Sequence, residues 1–166
     1  MKPSRPPFLP QQLSNARCLA YMRMSLADQG LAVPSEDELL TQANMQSEGM
    51  DFTELRRLAR SQGLRASIEF PKGADAIPGH ISQGNTVIVQ IDRFPLDDEA
   101  TRHAVVIVGS SNEFVAFLDP LRATSTPPGE RSVSRELFDG IHQKSHGLSR
   151  IVNRAGKFPC SATLLS

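Results

Sequence analysis

The sequence predicts an α+β domain in which N-terminal helices pack on a central antiparallel sheet, and three observations carry that expectation. Up to Gly63, apolar residues recur at spacings of three and four, the pattern of buried helix faces. From Leu64 onward the pattern changes to short runs rich in Val, Ile and Phe bounded by turn residues, which is that of strands. Helices therefore come first and strands afterwards, without the β-α alternation of a doubly wound sheet.

Taken in order, residues 1–11 hold four prolines, which remove backbone donors and fix extended segments, so this stretch is expected to be an arm and the fold to begin near Gln12. From Asn15 to Gln29, Leu19, Met22 and Leu26 mark a helix face, with Ser14 or Asn15 as N-cap and Gly30 as terminator. Cys18 then falls in the first turn. Ser35 with Glu38 three residues on predicts a second helix to about Ala43, with Leu39 and Leu40 on its buried face. Asp51 and Glu54 have capping-box spacing, Phe52, Leu55 and Leu58 form a stripe, and Gly63 stands at the C-cap of a third helix whose Arg56, Arg57 and Arg60 face water.

Strands are expected at 64–70, 86–91, 103–109 and 113–118, the last two joined as a hairpin through the polar link 110–112. Pro127, Pro128 and Gly129 mark a loop, Ser134 to Ile141 a short capped helix, and Leu148 to Val152 a final strand. The predicted organisation is an arm at 1–11, one domain at 12–153 and a loosely packed tail at 154–166.

At 166 residues the chain is long enough to bury a core without disulfides or structural metal. Lys plus Arg and Asp plus Glu number 18 each, so there is no net field, and no basic stripe with interleaved aromatics argues for nucleic acid. No apolar run reaches the length of a signal peptide core or of a membrane span, which predicts a cytoplasmic protein, with export as an effector left open. No glycine-rich phosphate loop is present and no cofactor is expected. His142 and His146 have zinc-compatible spacing, but Gly140 and Gly147 bracket them without a Cys or carboxylate partner, so no metal is expected either. His80, beside Pro78 and Gly79, reads as a loop or core histidine.

Only two cysteines occur, Cys18 and Cys160, too few for a disulfide framework, and a bridge between them is disfavoured in a cytosolic setting. A thiol in a helix's first turn sits at the positive end of the macrodipole, which favours thiolate over thiol. Arg17 adds a cation whose direction the spacing leaves open. His103 opens an apolar strand after the polar stretch 97–102, where an imidazole can lie at a cleft edge as general base. Asp119 ends the partner strand of the hairpin, and a carboxylate beside that ring would fix its tautomer and favour the imidazolium. Gln12, six residues before Cys18, can offer an amide donor to a developing oxyanion, as could Gln11.

The four positions together resemble the bacteriocin-processing peptidases, papain-fold cysteine protease domains of exporters that cleave leader peptides after a double glycine. The resemblance rests on Gln12-Leu-Ser-Asn-Ala-Arg-Cys18-Leu-Ala-Tyr-Met22, on Phe52 to Leu64 with its Gly-Leu exit, on His103-Ala-Val-Val-Ile-Val-Gly109, and on Asp119-Pro120 sixteen residues after the histidine. It spans roughly residues 12 to 152 and implies a papain-like fold, with Cys18 as nucleophile, His103 as base and acid, Asp119 as orienter and Gln12 as oxyanion donor. Leu19 stands where the family usually has Gly, and its side chain either narrows the cleft or faces the core. The implied activity is hydrolysis of a peptide or protein substrate through an acyl-enzyme. Glutamine deamidation or acyl transfer by the same residues, and a degenerate peptide-binding module, are the alternatives.

Overall fold

The computed structural model describes residues 3–14, 16–43, 50–69, 74–94, 96–97, 102–122, 124, 127–144 and 149–154, the stretch from 143 on by backbone alone. The elements run α1 (Arg17–Asp28), α2 (Glu36–Gln42), α3 (Phe52–Ser61), β1 (Leu64–Glu69), a 3-10 turn (Ala74–Ala76) leading into α4 (Ile77–Ser82), β2 (Thr86–Asp92), β3 (Arg102–Ser110), β4 (Phe114–Leu118), β5 (Glu130–Ser134), α5 (Arg135–Lys144) and β6 (Ser149–Arg154). The strands form one sheet of order β1-β6-β2-β3-β4-β5 in which every neighbouring pair is antiparallel.

Strand alternation divides the core. Ile88, Val106 and Leu118 point into a cluster with Leu19, Met22 and Leu26 of α1 and Leu55 and Leu58 of α3. Val87, Val89 and Ile91 of β2, with Val105 and Ile107 of β3, point the other way onto Ile77 of α4 and Phe138 and Ile141 of α5. The α+β expectation holds, with one addition: the later helices cover the second face. Fully burying each of these Leu, Ile or Phe side chains contributes about 1.5–3 kcal/mol, so both layers are needed to hold the sheet.

Helix ends follow local chemistry. At the C-terminus of α1, Gly30 adopts φ 67°, and Gly30 N–H to Ala27 O and Leu31 N–H to Leu26 O, each 3.0 Å, close the turn. Its N-cap is Ala16, without a side-chain cap, in place of Ser14. The chain enters through a turn in which Ala16 N–H reaches Leu13 O at 3.3 Å, which puts Ser14 two residues too early; Asn15 lies outside the described residues. Ser35 and Glu38 form the reciprocal capping box of α2. Leu39 is buried there, but Leu40 is 37 % exposed, because the helix makes only two turns and the second leucine rotates off the face. In α3, Asp51 caps Glu54 N–H at 2.8 Å, while the Glu54 carboxylate turns to Arg57.

Two elements differ from expectation. Pro78 and Gly79 lie inside α4, which places His80 on a helix; proline is tolerated there because first-turn N–H groups have no intrahelical partner. Glu130 to Ser134 is the edge strand β5, whose polar composition resembles a loop because an edge strand faces water. The arm is extended, and it lies on the body. Ser4 Oγ donates to Asp28 Oδ2 at 2.6 Å, Ser4 N–H to Ile81 O at 2.9 Å and Arg5 N–H to Asp28 Oδ1 at 3.0 Å. Phe8 packs against Gly129 so closely that a Cβ added to the glycine would lie 2.0 Å from the ring. The tail beyond Arg154, including Cys160, and His146 lie outside the described residues.

Candidate active site

Cys18 is the second residue of α1 and is half-buried. With Ala16 at the N-cap, no side chain neutralises the end of the helix, so its partial positive charge is directed at whatever approaches the cysteine. The thiol donates to Met50 O at 3.2 Å. Leu19 is fully buried in the core, so the residue after the cysteine faces inward and leaves the cleft its width.

The hairpin brings the base and the acid together. Val106 pairs with Leu118, so continuing that register puts Asp119 opposite Val105, and His103 becomes its diagonal neighbour on the same face. The two side chains meet there: His103 Nε2 lies 3.0 Å from Asp119 Oδ1. Both are nearly inaccessible, at 3 % and 5 % exposure. Leu121 N–H donates to Asp119 Oδ1 at 3.0 Å. Burial alone would push the Asp119 carboxyl up, but its hydrogen bond to His103, the charge of that ring, the Leu121 N–H and the Arg93 charge outweigh it and hold the pKa below the ordinary range.

The other ring nitrogen faces a cation. Arg17 Nη1 lies 3.1 Å from His103 Nδ1. Because helical side chains tilt toward the N-terminus, the first residue of α1 reaches back past the helix end to the start of β3. A guanidinium only donates, so in this contact Nδ1 is the acceptor. His103 thus lies between a carboxylate at 3.0 Å and a guanidinium at 3.1 Å.

Tyr21, one turn after Cys18, is fully buried and donates its hydroxyl to Ala104 O, which ties α1 to β3 beside His103. Burial, reinforced by the charges of Cys18 and Asp119 and opposed by Arg17, holds its phenol well above its ordinary pKa, so it acts as a neutral donor. Gln12 is tied to α2: its carbonyl accepts from Glu36 N–H at 3.0 Å, while Gln12 N–H and Leu13 N–H donate to the buried Glu36 carboxylate at 2.9 and 2.7 Å. Gln11 uses its amide nitrogen on Leu13 O. Of the two glutamines, Gln12 therefore keeps the exposed amide whose NH2 end the Glu36 contact does not use.

The sequence leaves the directions of Arg17 and Tyr21 open and gives no sign of Glu36 or Met50. The signal that could have found Tyr21 is its position three residues from Cys18, on the same helix face. Asp97 joins the segments flanking the pair: it takes Arg131 of β5 at 3.0 Å, Arg93 at 3.3 Å and Arg122 at 3.5 Å. Burial opposes ionisation of Asp97, but Arg131 and Arg93 overcome it and lower its pKa. His142 lies buried in α5, with Nδ1 3.1 Å from Gln90 O. His80 Nε2 lies 3.4 Å from Glu69 Oε2. Among the described residues no group of three or more His, Cys, Asp or Glu could hold a metal, and no helix is long and apolar enough to cross a membrane.

No family model matches the sequence, and no curated protein does. Solved structures do. The chain is similar to a putative C39-like peptidase from Bacillus anthracis at TM-score 0.69 and 18 % identity, covering 91 % of this chain and 96 % of that one. A double glycine motif protease from an AMS/PCAT transporter, in complex with a leader peptide, matches at TM-score 0.67 and 18 % identity, covering 92 % and 94 %. The peptidase domain of Streptococcus ComA, a bi-functional ABC transporter involved in quorum sensing, matches at TM-score 0.66 and 16 % identity, covering 88 % and 96 %. At these identities the likeness concerns the fold: the chain has the papain-like α+β architecture of bacteriocin-processing peptidase domains.

Proposed function

We propose that this chain is a cysteine peptidase with Cys18 as nucleophile, His103 as general base and acid, Asp119 as the residue that orients the ring, and Gln12 as an oxyanion donor. The observation that carries the reading is the buried His103–Asp119 pair, 3.0 Å apart, whose ring meets Arg17, the first residue of the helix that bears Cys18, at 3.1 Å. A structural role alone gives little reason to bury an imidazole and a carboxylate together at the N-terminal end of a helix whose second residue is a cysteine.

In the proposed reaction, His103 Nδ1 takes the Cys18 proton as sulfur attacks the amide carbonyl carbon. The oxyanion forms against the Cys18 backbone N–H and the Gln12 amide. Collapse breaks the C–N bond, His103 returns the proton to the leaving amine, and an acyl-enzyme remains. Water, deprotonated by the same nitrogen, then releases the acid. Asp119 stabilises the imidazolium in both halves. A peptide is the proposed substrate class, supported by the neighbour crystallised with a leader peptide.

Intact-mass labelling with iodoacetamide between pH 5 and 9, on wild type, Cys18→Ala and His103→Ala, tests this. The expected result is one adduct confined to Cys18, already fast below pH 7 and slowed by His103→Ala. A slow, ordinary thiol profile unaffected by His103→Ala would overturn the proposal.

A further inference from the structure

We infer that Glu36 is a positioning residue for the oxyanion site: it holds Gln12 with the amide nitrogen turned outward before a substrate arrives. The inference rests on the thiol-peptidase reading above, in which Gln12 is an oxyanion donor.

Gln12 is exposed and belongs to no helix or strand, so no regular backbone pairing fixes it. Glu36, the first residue of α2, does so through three hydrogen bonds. Its Oε2 accepts from Gln12 N–H at 2.9 Å and from Leu13 N–H at 2.7 Å, which ties two successive backbone groups to one oxygen. The third bond sets the side chain. A backbone N–H only donates, so the end of the Gln12 amide that meets Glu36 N–H at 3.0 Å is the carbonyl oxygen, and the NH2 faces the other way. An exposed amide that could otherwise rotate and flip is thereby held with its donor end open. A donor stabilises a developing oxyanion most when it need not reorganise as the charge forms.

Helix formation does not account for this arrangement. Ser35 already caps α2, accepting from Glu38 N–H at 3.2 Å, and Leu39 supplies its buried face. Glu36 itself is fully buried, and its Oε1 has no hydrogen-bond partner among the described residues, with Arg23 Nη1 3.9 Å away. Burying a carboxylate with one oxygen unmatched costs free energy that an apolar side chain of similar size would not. The other oxygen gives the reason for it: that oxygen anchors the segment leading from Gln12 into the turn before Cys18.

Acylation by p-nitrophenyl acetate and alkylation by iodoacetamide test this, because only the first passes through an oxyanion. With the ester, the Cys18 sulfur bonds to the carbonyl carbon, the C–O bond breaks as p-nitrophenolate leaves, and the thiol proton passes to His103. With iodoacetamide, a C–S bond forms at saturated carbon as iodide leaves. The ratio of acylation to alkylation rates at pH 7 is to be measured in the full chain, with Cys18→Ala as the blank. The proteins compared are wild type, Gln12→Ala, Glu36→Ala, Glu36→Gln, the Gln12→Ala/Glu36→Ala double variant and His103→Ala. Gln12→Ala should lower the ratio about tenfold and Glu36→Ala about fivefold. Glu36→Gln, which keeps an oxygen for the two backbone N–H groups but not the charge, should lower it about twofold. The double variant should fall no lower than Gln12→Ala, because Glu36 acts through Gln12. A general loss of structure would slow both reagents together and leave the ratio where it was. A wild-type ratio in Glu36→Ala, or in Glu36→Gln where the alanine variant does not fold, overturns the role of Glu36 alone, as does a further fall in the double variant. A wild-type ratio in Gln12→Ala overturns Gln12 as oxyanion donor and this inference with it. Rates indifferent to His103→Ala overturn the peptidase reading as a whole.

Discussion

Asp119→Asn isolates the carboxylate's charge from its shape. The asparagine keeps an oxygen able to accept from His103 Nε2 and from Leu121 N–H, which now lie 3.0 Å from Asp119 Oδ1, but it removes the negative charge. A protonated His103 would lose the attraction of about 5 kcal/mol that a unit charge supplies at this separation and a dielectric of about 20. The amide dipole and admitted water recover part of that, and a net loss of about 3 kcal/mol corresponds to roughly a hundredfold slower formation of the reactive thiolate–imidazolium couple. The assay is the second-order rate of Cys18 alkylation from pH 5 to 9, paired with urea unfolding to confirm that the variant is folded. The decline should be largest below pH 7 and should shrink as solvent begins to deprotonate the thiol unaided. A folded Asp119→Asn protein that labels within about threefold of wild type throughout would refute the assignment of Asp119 as the orienting charge.

Other perturbations probe the frame around the site. Gly129→Ala combines a φ of 70° with a Cβ 2.0 Å from the Phe8 ring, so urea unfolding should show a loss of about 2–4 kcal/mol. Adding Phe8→Ala should recover the steric part but not the backbone part. Tyr21→Phe leaves Ala104 O without its donor and should lower stability by about 1–2 kcal/mol by the same measurement. Asp119 and Asp97 are both held below the ordinary aspartate value of 3.8, so their contribution to stability is complete above that value and is lost as pH falls through their lower folded values. Thermal melts should therefore be level from neutral pH down to about 5 as far as these two groups are concerned, and should fall steeply below about 4, less so in Asp97→Asn.

The fold was legible wherever one local signal dominated. The Ser35–Glu38 capping box, Asp51 as the cap of α3 and Gly30 and Gly63 at positive φ come from residue types whose geometry is intrinsic, and the structure places them as read. The β3–β4 hairpin was legible for the same reason: two apolar runs joined by a three-residue polar link have few other ways to pair. That pairing is what makes His103 and Asp119 neighbours. The misses share a cause. The edge strand β5 carries a loop's composition, and α4 carries Pro78 and Gly79 inside a helix too short to develop a period. In both, tertiary packing decides what local propensity leaves undetermined.

What lies between these elements was not legible, and it changes the chemistry that the sequence suggests. Cys18 begins a helix, His103 sits at the start of a strand and Asp119 follows the end of one, so each candidate group stands at an element end, where direction depends on rotamer and cap and periodicity says nothing. An arginine beside a cysteine suggests thiolate stabilisation when only sequence spacing is considered. In the structure its guanidinium reaches His103 Nδ1 at 3.1 Å. What Arg17 does at this site is thus set by the reach of one side chain, which spacing in the sequence does not fix.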